Sequence, residues 1–367
     1  MIEKDERWDW VALDLAPGVG PGRLVHLATR FGSPRRVFEE PGRVEGVEVS
    51  VMQAIQRFDR HRAIRDQQAR AKGVGTSLIL STDPEYPPLL KTIVSPPPYL
   101  FIRGTLRKDD ALAVAVVGSR HPTPYGVMTT ERLSGDLARR GVTVVSGFAR
   151  GVDTAAHRGA LAAGGRTIAV LGCGADIVYP KENGALMKEV ELKGAIISQY
   201  PLGTPPLAEY FPVRNRTIAG MTLGTVVVEA AEKSGSLITA RFAGELGREV
   251  FAVPGNVSST VSQGTNHLIQ DGAKLVRDWR DVIEELPPSF RRLIRTDVET
   301  PVPEAASGDP ETDRLLALLS DDPVVIDHVI REGRLTPAQA SALLLDLELR
   351  GLVRQLPGQR YVKVSHG

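Results

Sequence analysis

Four short stretches bring cations to places where small residues let a backbone come close to a ligand. Gly118-Ser119-Arg120 ends one apolar run, and Gly147-Phe148-Ala149-Arg150-Gly151-Val152-Asp153 follows a second, which closes on Ser146. Phe211-Pro212-Val213-Arg214-Asn215-Arg216 leads into a third run, and Lys233-Ser234-Gly235-Ser236 comes after it. Glycine and serine permit tight turns, helix starts offer unpaired N–H groups and a positive dipole end, and Arg or Lys adds a full charge. Together these are the parts of a phosphate site. A glycine after a strand can be a tight turn and nothing more, but four such turns, each with a cation, are hard to explain by geometry alone.

Each residue has a plainer alternative. Arg120 suits a bidentate grip on phosphate, and could instead form a surface ion pair. Arg150 could meet the ligand or pair with Asp153. Arg214, Asn215 and Arg216 beside Phe211 supply two cations, an amide and a ring, which is what a splayed single strand needs: phosphates on arginine, a base on the aromatic face. The alternative buries Phe211 in the core and pairs one arginine with Glu209 or Glu229. Lys181, after Tyr179-Pro180, is a further cation beyond a strand end. Asp153 and His157 are four apart on one helix face, but with no activated nucleophile nearby, capping and packing account for them better than acid–base chemistry. The candidate binding set is therefore Gly118, Ser119, Arg120, Ser146, Gly147, Arg150, Lys181, Phe211, Arg214, Asn215, Arg216, Lys233, Ser234 and Gly235.

Alternating elements must hold these turns. Val/Ile/Leu runs at 112–118, 142–146, 167–171, 195–198, 224–229, 249–253 and 274–276 alternate with helical patterns. This predicts parallel strands buried on both faces in an extended, doubly wound, Rossmann-like α/β sheet. Ligands in such sheets gather beyond the carboxyl ends of the strands, where the turns lie. Residues 77–80 and 99–102, among prolines, predict extra strands on one side. Before them, residues 1–75 read as a helical domain. Its Pro17-Gly-Val-Gly20 is either the phosphate-holding turn of a helix-hairpin-helix or an ordinary glycine turn, and a second helix, from Val49 to Lys72, presents a solvated face. After the 76–286 domain, residues 287–310 read as a linker. Three helices and a hairpin turning at Pro357-Gly358 then predict a winged helix over 311–367. Its would-be recognition helix opens with Thr336-Pro-Ala-Gln339, without the Arg, Lys or Asn of a major-groove reader, which favours a protein-binding or architectural role.

Composition sets outer limits. The chain has 367 residues, a net charge of +1 and one cysteine. Near-neutrality means that any anion site is local. A single thiol excludes an internal disulfide and any thiolate metal cluster, and Cys173 reads as packing filler in a reducing cytoplasm. The charged amino terminus is unlike a signal peptide, and no apolar run approaches membrane-spanning length. Neither a Walker loop nor a Gly-x-Gly-x-x-Gly fingerprint is present, so no nucleotide cofactor is expected.

The ordered motifs Gly118-Ser-Arg120, Ser146-Gly-Phe-Ala-Arg-Gly-Val-Asp153 with His157, Tyr179-Pro180 with Asn183, 211–216, Glu229-Ala230, 233–239 and Val253-Pro-Gly255 resemble the DNA-processing protein A family, DprA or Smf. The resemblance covers about 80–285, and the flanking modules fit the family's fuller architecture. It implies a non-enzymatic homodimer that binds single-stranded DNA, protects it and loads the RecA recombinase in natural transformation. Phe148, Val152, Gln199 and Met221-Thr222 depart from the family pattern. The first two are apolar exchanges, and the Gln and Thr changes lie outside the cationic turns. The alternative is a Rossmann-type enzyme acting on nucleoside phosphates, whose Pro-Gly-Gly-x-Gly-Thr loop is matched here only by Gly220-Met-Thr-Leu-Gly-Thr225.

Overall fold

The computed structural model describes residues 6–40, 44–295, 310–320, 323–349 and 352–363. Nine strands form one sheet: β1 (Ser77–Leu80), β2 (Tyr99–Gly104), β3 (Ala113–Val117), β4 (Thr143–Ser146), β5 (Thr167–Leu171), β6 (Ala195–Ser198), β7 (Gly224–Val227), β8 (Glu249–Ala252) and β9 (Lys274–Leu275). Their spatial order is β1-β2-β6-β5-β4-β3-β7-β8-β9. From β6 to β9 every pairing is parallel, with β2 antiparallel to β6 and β1 antiparallel to β2. The two proline-flanked strands are thus the extra strands that the sequence predicts on one side, and they run antiparallel.

Two layers of helix cover the sheet because its strands are apolar on both sides. In β3, Val114 and Val116 join a core with Leu133, Leu137, Val152 and Ala156, whereas Ala113, Ala115 and Val117 join another with Leu90, Ile218, Met221 and Ala240. The first layer holds α7 (Pro124–Arg139) and α8 (Val152–Ala162); the second holds α10 (Tyr210–Gly220) and α11 (Gly235–Glu245). The chain leaves β3 for β4 on one side and returns to β7 on the other. That reversal is the topological switch point, where the crevice beyond the strand ends must open.

The amino-terminal helices α1 (Glu6–Asp14), α2 (Pro21–Phe31), α3 (Pro34–Glu39), α4 (Val49–Arg57) and α5 (Arg60–Val74) pack on β1 and β2 through Leu13, Leu27, Leu78 and Phe101. The expected helix from Val49 to Lys72 is two helices. Asp59 breaks it by capping α5, its carboxylate accepting from the Arg62 amide at 2.9 Å. Nor is that stretch wholly solvated: the Gln67 side chain is buried, donating to the Leu202 carbonyl and accepting from the Leu202 amide, both at 2.9 Å.

The segment predicted as a linker begins folded. Residues Pro288–Arg291 form a helix, and Phe290 and Ile294 pack on the sheet core. Residues 296–309, the rest of the predicted linker apart from Pro310, lie outside those described. Beyond them, helices Pro310–Leu318, Ile326–Gly333 and Pro337–Leu349, with strands Val324–Val325, Val353–Leu356 and Arg360–Lys363, make the winged helix. Thr336 caps the last helix in a reciprocal box with Gln339. Among the described residues no helix is long and apolar enough to cross a membrane.

Candidate nucleic-acid interface

At the switch point the turns after β3, β4 and β7 enclose a cleft of about 770 Å³. Gly118, Ser119 and Arg120 line it from one side, Lys233, Ser234 and Gly235 from the other, and Phe211, Arg214 and Asn215 rise from α10 between them. Gly118 sits where the two chain directions separate. A Cβ there would lie 2.8 Å from Val152 Cγ2 and 2.9 Å from the Glu229 carbonyl oxygen.

The cations differ in kind. Arg120 and Lys233 are exposed, and neither forms an ion pair with a carboxylate among the described residues, although the charge of Arg120 reaches Asp153. The Arg120 guanidinium stands 5.4 Å from the centre of the Phe211 ring, within cation–π range. Tyr179 adds a second ring, 5.9 Å from Phe211 and inclined by 31°. Phe211 is half-buried at the cleft wall, not enclosed in the core: one face packs over Gly172, where a Cβ would lie 2.7 Å from its ring, and it also lines the cleft.

Arg214 is buried, its guanidinium donating to the Gly147 carbonyl and, at 2.6 Å, to the Val170 carbonyl, while its Nε donates to Asn215 Oδ1. Asn215 in turn donates to the Gly235 carbonyl at 3.2 Å. Burial pushes the Arg214 guanidinium down, opposed by the nearby Asp153, whose own carboxyl is pushed up by burial and held back by Arg214. Arg214 thus ties the carboxyl ends of β4 and β5 to α10 and lends the cleft positive field rather than a free hand.

Several expected members stand elsewhere. Ser146 is fully buried and spends its hydroxyl on the Val116 carbonyl at 2.7 Å. Arg216 lies across α10 from Arg214, its guanidinium bound to the Val94 and Ser95 carbonyls, because residues two apart on a helix cannot share a face. Lys181, in a turn of 3₁₀ helix, is exposed but does not line the cleft. Gly147 and Arg150 border a narrow adjoining crevice, and Arg150 pairs with Glu182 rather than Asp153. Neither Arg214 nor Arg216 pairs with Glu209 or Glu229. Glu229 instead accepts from the Thr123 amide at 2.8 Å and from its hydroxyl at 2.5 Å, anchoring the start of α7.

Helix starts are also less open than the turns suggest. The Val152 amide donates to the Ser119 carbonyl at 3.0 Å, and the Asp153 carboxylate takes the Ala149 amide at 3.2 Å. His157 is fully buried, its Nδ1 2.7 Å from Thr167 Oγ1. Burial, and then the charge of Arg214, lower it to about 3, so it is neutral at physiological pH. Among the described residues no cluster of His, Cys, Asp and Glu could hold a metal ion. Among the lining residues outside the predicted set, Tyr179 is the one that brings an aromatic ring. Its signal was an aromatic in the turn after β5, next to a proline.

Comparison with known proteins agrees with this fold. The sequence model of DNA recombination-mediator protein A matches residues 77–287, and that of the DprA winged helix domain matches 299–359. Protein Smf of Synechocystis is 33% identical over 400 residues, covering 98% of this chain and 99% of its own length. The DNA processing protein A of Streptococcus pneumoniae superposes with a TM-score of 0.66 at 34% identity, covering 77% of this chain and 98% of that one. The DNA processing protein A of Helicobacter pylori, solved for its single-stranded DNA binding mode, gives a TM-score of 0.52 at 31% identity over 57% of this chain and 94% of its own. The chain belongs to the DNA recombination-mediator protein A family.

Proposed function

We propose that this protein binds single-stranded DNA without sequence preference in the switch-point cleft, shields it, and as a cytoplasmic homodimer delivers it to the RecA recombinase during natural transformation. The observation that carries the reading is the convergence of two unpaired cations, Arg120 and Lys233, with the exposed edge of an aromatic pair in one open cleft. Cations neutralise phosphates whatever the sequence, and rings stack on any base. Phosphates would bridge Arg120 and Lys233, while Phe211 and Tyr179 receive bases.

Binding without turnover fits the same site. His157 is buried and neutral, and the Asp153 carboxylate faces Arg214 and accepts the Ala149 amide, which assigns both to holding the turn rather than to proton transfer. The winged helix, whose last helix opens without a basic side chain, would engage protein rather than read the major groove. A salt titration of the full chain against single- and double-stranded oligonucleotides tests the reading. Single strands should bind more tightly, with a log-log salt dependence of about 0.7 per phosphate neutralised. A preference for duplex, or binding indifferent to salt, would refute it.

A further inference from the structure

Helix α10 has a second face. Phe211, Arg214, Asn215 and Ile218 turn toward the switch-point cleft, whereas Tyr210, Val213 and Thr217 line another cleft, of about 790 Å³, closed on its far side by the first two helices and the proline segment before β2. Its chemistry is unlike that of the first. Arg216 borders it, but the guanidinium is spent on the Val94 and Ser95 carbonyls. Asp14 and Glu209 contribute negative charge instead. Such a lining disfavours a phosphate.

What it offers is a flat apolar platform with a carboxylate beside it. The Tyr200 and Tyr210 rings lie 4.6 Å apart at 35°, with Tyr200 buried beneath and its hydroxyl fixed on the Tyr210 carbonyl at 2.9 Å. The Tyr99 hydroxyl donates to Asp14 Oδ2 at 2.5 Å, and the other carboxylate oxygen takes no hydrogen bond from the described residues. Two oxygens carry about four lone-pair sites, so the carboxylate has acceptor capacity left. Burial raises the Tyr200 and Tyr210 phenols, and the charge of Asp14 adds to it, which sets the carboxylate within electrostatic reach of both rings. Gly20 and Gly22, opposite, have open space where a side chain would be, leaving the cleft wide at that wall.

A neutral, planar ring with adjacent N–H donors satisfies both features. We propose that this second cleft receives one unpaired base of the bound strand, guanine above all, stacked on Tyr210 with its N1–H and 2-amino groups donating to the Asp14 carboxylate. This rests on the single-strand reading of the first cleft, since a strand held there need only cross α10 to present a base here. Phosphate contacts would still set most of the affinity, and the second cleft would add a preference at one nucleotide.

The test is fluorescence anisotropy on the full chain with three oligonucleotides of equal length: thymidine throughout, the same with one central deoxyguanosine, and the same with deoxyinosine, which lacks the 2-amino group. Deoxyguanosine should tighten binding roughly tenfold, the order of one bidentate base contact, and deoxyinosine should recover little of that gain. Asp14→Asn should make the deoxyguanosine and thymidine oligonucleotides bind alike, and Tyr210→Leu, which leaves the carboxylate in place, should shrink the same gain. Equal binding of all three by the unaltered protein overturns the second-cleft proposal while leaving the first cleft standing. Failure to bind the all-thymidine oligonucleotide refutes the first-cleft reading instead. Guanosine alone, tested against cytidine by saturation-transfer NMR with the Asp14→Asn variant as control, then decides the second cleft independently: selective, Asp14-dependent contact supports it and equal contact overturns it.

Discussion

Arg120 and Arg214 show that a cation near a ligand site can serve either the ligand or the fold. Arg120 stands exposed over a ring, whereas Arg214 is buried and satisfies two strand-end carbonyls. Removing the second strands those carbonyls and leaves Asp153 buried without its counter-charge. Arg214→Met should therefore lower stability by about 3 kcal/mol or more, read as a fall in melting temperature. Any loss of DNA binding in that variant then follows from the fold. His157 makes an independent point. Its imidazole is held near 3, against an ordinary value of about 6.5, so the neutral ring contributes stability that is present above pH 6.5 and is lost as pH falls through 3. Its NMR resonances should not move between pH 5 and 8. A titration midpoint near 6.5 would contradict its burial.

The elements explain which of these roles a sequence reveals. Strands β3 to β8 were legible because their Val, Ile, Ala and Phe runs belong in a covered sheet, and the turns beyond β3 and β7 bring Gly118 and Lys233 to one cleft. The segment 211–216 was harder. Read as a turn, it offers Arg214 and Arg216 together; as the helix Tyr210–Gly220, it sends them to opposite faces. The proline at 212 obscured the helix, although its place in the first turn is one that a helix tolerates. Ser146 was misread because it ends a strand, and the last residue of a buried strand still points inward. The break at Asp59 was hidden inside an Arg- and Gln-rich stretch with weak periodicity. Gly118 carries the element-scale prediction: Gly118→Ala must push apart Val152 and the Glu229 carbonyl. Overpacking of this kind costs about 1–3 kcal/mol, and the variant should lose both melting temperature and affinity for single strands. Unchanged values of both would show that the turn has more slack than its geometry indicates.

At the scale of the whole molecule, a nearly neutral chain makes two clefts of different character on either side of one helix. One is open and cationic, and the other lies at the seam between the amino-terminal helices and the sheet. Asp14 at that seam is pushed up to about 6, chiefly by burial. Since its value in the unfolded chain is near 3.9, the neutral carboxyl contributes stability that is complete below pH 3.9 and lost as pH rises through 6. Asp14→Asn should consequently raise the melting temperature at pH 7.5 and change it little at pH 4. An equal effect at both would contradict the shift. The central claim is that Arg120 and Lys233 meet the backbone of one strand, and salt dependence measures it most directly. For binding to a single-stranded oligonucleotide, Arg120→Ala and Lys233→Ala should each weaken affinity and each reduce the log-log slope by about 0.7, and the double variant by about twice that. Slopes identical to that of the unaltered protein in all three variants would contradict the claim.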